Sequence, residues 1–196
     1  MIIRKATLSD LAGIVNVHLL AFPNFFLTSL GRDFLVQYYK IYIKYSHIAY
    51  VAEENSAIEG FVVGSNNSAS FYKDLKKEVR HFIFPMLANI INIQLFKKII
   101  KRVIAVFFKK KVNASLKSYD NLNELTSIGV MPNDQNKGLG SQLLEQYEQY
   151  CNCIGIEGIT LTTDAENNKN VLKFYEKSGY LIDQTFVQDE TRTMYS

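Results

Sequence analysis

The sequence predicts an α/β chain: one mixed, mostly antiparallel sheet flanked by helices, with a basic helical insertion between the third and fourth strands. Three observations predict it. The apolar period switches between about two and about 3.6 along the chain, giving the order β-α-α-β-β-(helices)-β-α-β-α-β-β. The charge is uneven: residues 71–111 hold 11 of the 22 Lys/Arg and 2 of the 19 Asp/Glu, so a +9 segment sits in a chain whose remainder is −6. Finally, 196 residues that are 47% hydrophobic, with 12 Tyr and 13 Phe, suffice for one domain with its own core.

Each element has a local reason. Ile2 to Ala6 reads as an opening strand. Thr7-Leu8-Ser9-Asp10 supplies N-cap residues ahead of Leu11, Ile14, Val15, Val17, Leu19 and Leu20, a first helix. Phe22-Pro23-Asn24-Phe25-Phe26 breaks it. Residues 31–45 place Phe34, Leu35, Tyr38, Tyr39, Ile41, Tyr42 and Tyr45 at helical spacing. His47 to Glu53 and Ile58 to Gly64 are β-rich runs joined by a hairpin turn at Glu54-Asn55-Ser56-Ala57. Residues 69–112 return to helical, basic character. Glu124 to Val130 is a strand, Leu139 to Cys153 a helix, Gly158 to Thr163 a strand and Asn168 to Ser178 a helix. Tyr180 to Val187 and Thr191 to Tyr195 close the sheet. There is no internal repeat.

Several function classes are excluded. Cys151 and Cys153 form no CxxC pair and have no second Cys/His cluster, so no metal site is expected. The N-terminus lacks the apolar h-region of a signal peptide, and a cytoplasmic protein is expected. His18 and His47 are lone histidines, expected to be structural. No nucleic-acid motif accompanies the basic segment, and no nucleic-acid partner is expected.

The chemistry-bearing feature is a strand followed by a glycine-containing helix start: Glu124 to Val130, then Gln135-Asn136-Lys137-Gly138-Leu139-Gly140-Ser141. A helix start leaves backbone N–H groups unpaired with partial positive charge, and glycine lets that backbone approach a ligand. Together they suit phosphate. The spacing is neither a Walker A loop nor a dinucleotide fingerprint. A plain strand-to-helix turn would also explain it.

Downstream stands Asn168-Lys169-Asn170-Val171-Leu172-Lys173-Phe174-Tyr175-Glu176-Lys177-Ser178-Gly179-Tyr180. With the loop in the right order and spacing, this resembles the GNAT acetyltransferase superfamily. There a Gln/Arg-x-x-Gly-x-Gly/Ala loop precedes an Asn-x-x-Ala-x-x-x-Tyr-x-x-x-Gly-Phe pattern. Val171 replaces the Ala and Tyr180 the Phe. The likeness covers the chain apart from about residues 66–119 and implies a single GNAT-like domain over 1–196. The segment from Phe22 to Gly31, with Phe34-Leu35 and Tyr38-Tyr39, is similar to a subset tied to bacterial polysaccharide biosynthesis. That implies an amino-sugar or nucleotide-sugar acceptor.

The resemblance implies acetyl-CoA as co-substrate and a primary amine as acceptor. The pantetheine arm would pair with backbone groups of Ile128 and Val130. Backbone N–H groups from Gln135 through Asn136, Lys137, Gly138, Leu139 and Gly140 to Ser141 would hold the pyrophosphate. Lys137 reads either as an added charge on the phosphates or as a solvated lysine. Asn168 would bond the cofactor arm, cap a helix, or do both. Tyr175 matches the general acid for the leaving thiolate, and the Val130 N–H the oxyanion donor. Glu124 matches a carboxylate base in some members, with Asp164 and a water chain as alternatives. A homodimer is the assembly the resemblance suggests.

The insertion runs from Phe71-Tyr72-Lys73 to Lys109-Lys110-Lys111. Its uncharged run, Phe82 to Phe96, is 15 residues long, short of the ~20 needed to span a bilayer. Peripheral membrane contact through 71–111, a lid over a phosphate-bearing acceptor, and a helical pair with a solvated basic face all fit this composition.

Overall fold

Alternation on the two central strands sets the architecture. β2 (Ile48–Glu54) and β3 (Ala57–Ser65) pair as an antiparallel hairpin. Its turn residues Asn55 and Ser56 both have positive φ, 50° and 65°, the geometry that matches the twist of a two-residue hairpin. Along β3, Phe61 and Val63 enter one core while Val62, between them, enters the other. Every other layer follows from that split.

The computed structural model describes residues 1–65, 68–82, 122–165, 168–188 and 190–195. β1 (Ile2–Lys5), β4 (Asn123–Val130), β5 (Ile159–Asp164), β6 (Ile182–Gln188) and β7 (Glu190–Tyr195) complete a seven-stranded sheet ordered β1-β2-β3-β4-β5-β7-β6. All neighbours are antiparallel except β4 and β5. The mixed sheet matches the expectation. The closing strand starts at Ile182, because Tyr180 instead buries its ring 5.7 Å from that of Tyr175 and donates its hydroxyl to Glu148.

On one face lie α1 (Leu11–Ala21), the short α2 (Phe26–Ser29) and α3 (Arg32–Lys44). Their core contains Ile14, Val15, Leu35, Tyr39, Tyr42 and Phe61. The expected cap before α1 is a capping box: Thr7 N–H and Oγ1 both donate to Asp10 Oδ2, at 2.7 and 2.8 Å. Arg4 grips both carboxylate oxygens of Asp10 at 2.8 Å. On the opposite face lie α5 (Leu139–Cys153) and α6 (Lys169–Lys177), over a core of Val62, Leu125, Leu143, Tyr147, Leu161 and Tyr175.

Of the insertion, α4 (Ser68–Lys77) and the residues to 82 are described. The remainder of the expected 69–112 segment lies outside the described residues. The two acids of the basic segment both serve α4's docking. Asp74 meets His47 at 3.3 Å and Lys77 at 2.6 Å. Glu78 accepts from Lys44 at 2.5 Å and from Tyr45 at 2.6 Å. Phe71 stacks on Tyr42 at 4.7 Å, and Phe82 meets Phe34 at 5.0 Å.

Candidate functional site

The site begins as a break in the sheet. β4 pairs with β5 only at Asn123–Ile159, Glu124–Thr160 and Leu125–Leu161, while β5 goes on to pair with β7 as far as Asp164. The parting coincides with a bulge. Val63 lies opposite Ser127 and Gly64 opposite Leu125, so Thr126 is the extra residue, and a bulge bends its strand. Tyr147 of α5 braces this point. Its hydroxyl donates to the fully buried Asn123 and lies where a Cβ on Gly64 would stand.

Beyond the bulge, the register fixes which groups face the opening. Met131 N–H donates to Glu59 O at 2.8 Å, and pairing then runs 60–130, 61–129, 62–128 and 63–127. Bonding alternates along an antiparallel ladder. Ile128 and Val130 therefore turn their N–H and C=O groups away from β3, towards the opening. The Val130 carbonyl accepts from Gln135 Nε2 at 3.3 Å, on that same side.

The loop after β4 ends in a helix start. Asn136 (φ 62°) and Gly138 (φ 84°) are left-handed, the conformation glycine adopts without penalty. Gly138 occupies the N-cap position, and Gln142 N–H donates to its carbonyl. The N–H groups of Leu139, Gly140 and Ser141 thus precede the first helical bond. Leu139 is buried and anchors the turn. The face above the turn is open: a Cβ on Gly138 would meet nothing within 4 Å, and one on Gly140 would first meet Phe174 at 3.6 Å. Three free N–H groups beside an opening edged with backbone donors and acceptors fit a pyrophosphate carrying an amide-bearing arm. Lys137 is 66% exposed and turns back to Asp134 at 2.9 Å, which favours the surface reading of this lysine.

The remaining expected residues spread around the opening. Asn168 stands at the N-cap of α6, but its side chain makes no cap bond. It donates instead to Thr163 Oγ1 (2.8 Å) and Asp164 O (3.0 Å), tying down the end of β5. Tyr175 is 5% exposed, its ring 5.0 Å from that of Phe174. Burial pushes its phenol well above the ordinary range, so it keeps its proton at neutral pH. Glu124 sits at the closed end of the opening, on the α3 side, where its charge raises the phenols of Tyr38, Tyr42 and Tyr72, the last to about 12, after burial as the main cause. Four residues, about 13 Å of strand, separate Glu124 from Ile128.

The acetyltransferase (GNAT) family model matches residues 97–180, from the insertion through the loop to the end of α6. The chain has a GNAT-like mixed α/β fold, and the match to the family model covers its second half. Among solved GNAT-like structures, an N-acetyltransferase from Staphylococcus aureus Mu50 superposes with a TM-score of 0.61 at 17% identity, covering 99% of this chain and 95% of that one. The yncA protein of Salmonella typhimurium, solved with its cofactor acetyl-CoA, gives 0.61 at 15% identity, covering 99% and 91%. The protein YxbD of Bacillus subtilis (strain 168) is 43% identical over 53 residues, 27% of this chain and only a third (33%) of its own length. Among the described residues, no helix is long and apolar enough to cross a membrane.

The residue pattern hid two features of the site. Asn123, Gly64 and Tyr147, which brace the bulge, look like ordinary strand and helix positions. Tyr39 and His18 look like core, yet Tyr39 reaches Ser127 on β4 and His18 bonds Tyr39. The clustering of Tyr38, Tyr39 and Tyr42 was the available signal, because buried phenols need partners.

Proposed function

We propose that this protein transfers the acetyl group of acetyl-CoA to a primary amine, and that the amine belongs to an amino sugar or nucleotide-sugar. The parting of β4 from β5, with the α5 start at its mouth, carries the proposal. When bound, acetyl-CoA supplies the thioester. Ile128 and Val130 hold the arm by strand-like pairing, the Leu139, Gly140 and Ser141 N–H groups hold the pyrophosphate, and the Val130 N–H faces the carbonyl oxygen as negative charge develops. Tyr175, held protonated by burial, gives its proton to the departing sulfur, and the proton that the amine nitrogen loses on forming the amide restores the phenol. The sugar assignment rests on the α1/α3 face, where Phe22 and Phe25 offer ring surfaces and Glu124 a carboxylate.

The test is thiol release from acetyl-CoA with glucosamine and with simple primary amines, alongside calorimetry with CoA. Amine-dependent release, fastest with the amino sugar, is expected. CoA binding without release to any amine would refute transfer. Equal rates with all amines would refute the sugar assignment.

A further inference from the structure

The α1/α3 face holds a hydrogen-bonded series that none of the roles above uses. His18, 2% exposed, places Nδ1 2.6 Å from the Tyr39 hydroxyl, and that hydroxyl lies 3.5 Å from Ser127 Oγ. When Tyr39 donates to Ser127, His18 Nδ1–H donates to Tyr39, and Nε2 is left with its lone pair. Nε2 is buried and has no hydrogen-bond partner among the described residues. A buried polar atom left unpaired costs about 1–3 kcal/mol, and such an atom calls for a specific reason.

Its surroundings supply one. Phe22 stands with its ring 5.1 Å from the imidazole. The same ring overlies β4, for a Cβ on Gly129 would sit 3.1 Å from Phe22 Cε2. Ser127 and Gly129 flank Ile128, whose backbone faces the opening from the other side. His18 is therefore set over the stretch of β4 where the thioester would lie. Among the described residues Tyr39 is the titratable group in contact with it, and burial, with no charged neighbour contributing, holds the imidazole near 4. It is neutral at physiological pH.

We propose that His18 Nε2 binds the acceptor, accepting a hydrogen bond from the amino group of an un-ionised primary amine. A neutral acceptor among Phe22, Tyr39 and Phe61 gives an ammonium ion no counter-charge, and desolvation there disfavours the charged form of an amine. Binding there therefore selects the free base, which is the nucleophile. Glu124, at the closed end of the opening, keeps to the outer part of the acceptor.

The proposal rests on the acetyl-transfer reading, and the experiment separates the two. Wild type, His18→Phe and His18→Gln are assayed with acetyl-CoA against glucosamine, ethanolamine and tyramine, with acetyl-CoA affinity measured by calorimetry. In His18→Phe, kcat/KM for the amine falls about tenfold or more, the loss of one buried hydrogen bond, with acetyl-CoA affinity unchanged, and His18→Gln recovers part of it. In ¹⁵N-histidine-labelled wild type holding CoA, the Nε2 signal shifts when the amine is added and does not respond to CoA alone. Unchanged kcat/KM in a folded His18→Phe, or a silent Nε2 signal, overturns the proposal. If His18→Phe does not fold, the glutamine variant and the Nε2 signal decide. If acetyl-CoA binds and no amine is acetylated, the transfer reading falls; the Nε2 titration with the same amines then judges His18 alone.

Discussion

The two faces of the sheet solve different problems with different materials. The α5/α6 face is built of backbone: a bulged strand, a left-handed glycine and a helix start. The α1/α3 face is built of side chains: Phe22, Tyr38, Tyr39, Tyr42 and a buried histidine. The family match, residues 97–180, takes in β4, the loop, α5, β5 and α6, and it stops short of α1 and α3. On the proposed reading, the donor meets fixed backbone geometry and the acceptor meets side chains.

The sharpest way to break this division is Tyr175→Phe. If the α5/α6 face delivers the proton to sulfur, kcat falls on the order of 10²-fold, within the range for a lost general acid, while acetyl-CoA affinity holds. Rapid-mix thiol release measures the first and calorimetry the second. A matched loss of affinity would instead make Tyr175 a packing residue of the second core.

Gly64→Ala attacks the hinge between the faces. The new Cβ collides with the Tyr147 hydroxyl and comes to 2.5 Å from the Glu124 carbonyl. Overpacking of this kind costs about 2 kcal/mol, or roughly 5 °C of melting temperature in a chain of this size. The bulge that parts β4 from β5 should shift with it. Calorimetry should then show weaker acetyl-CoA binding in the folded variant. A stable variant with unaltered affinity would dissociate the bulge from the cofactor slot.

Most of the fold was legible in the sequence, and so was the backbone part of the candidate site; the division between faces explains why. The α5 helix starts and ends where its periodicity and Gly138 place it, and the hairpin at Asn55-Ser56 follows from local turn chemistry. Gln135 to Ser141 stand out because backbone conformation constrains residue type: few residues but glycine accept φ 84° at position 138. Asn168 was harder. Its position was legible, but its bonds go to Thr163 and Asp164, contacts set by how β5 ends rather than by spacing along α6. Tyr147 and Asn123 were illegible, since their pairing depends on a bulge that only the β3–β4 register reveals. His18 looked solitary for the same reason: its partner is 21 residues away on another helix.

Gly138→Ala probes the backbone side more gently. Holding alanine in the left-handed region costs about 1 kcal/mol, and nothing within 4 Å obstructs the added methyl. Acetyl-CoA affinity should weaken about fivefold as the N–H groups of 139–141 are disturbed. The KM for the amine should not move. A change confined to the amine would place the acceptor, not the pyrophosphate, at this turn.

The smallest effect belongs to the first turn of the α1/α3 face. Arg4 and the capping bonds of Thr7 hold Asp10 at about 2, below its ordinary 3.8, against the opposing influence of burial. A carboxylate with a lowered folded-state pKa stabilises the fold above its unfolded pKa. That stability is lost as pH falls from about 4 through 2, where the folded form also takes up the proton. Because Arg4 is partly solvated, about 1 kcal/mol is expected rather than the full linkage value. Urea melts of wild type and Asp10→Asn should differ by that amount at pH 6 and converge by pH 2. Acetyl-CoA affinity at pH 7 should match in the two proteins, since Asp10 anchors α1 and lies on the opposite face from α5. A loss of affinity in Asp10→Asn would mean that the faces are coupled through β4, and that the donor slot is only as rigid as the helix packed behind it.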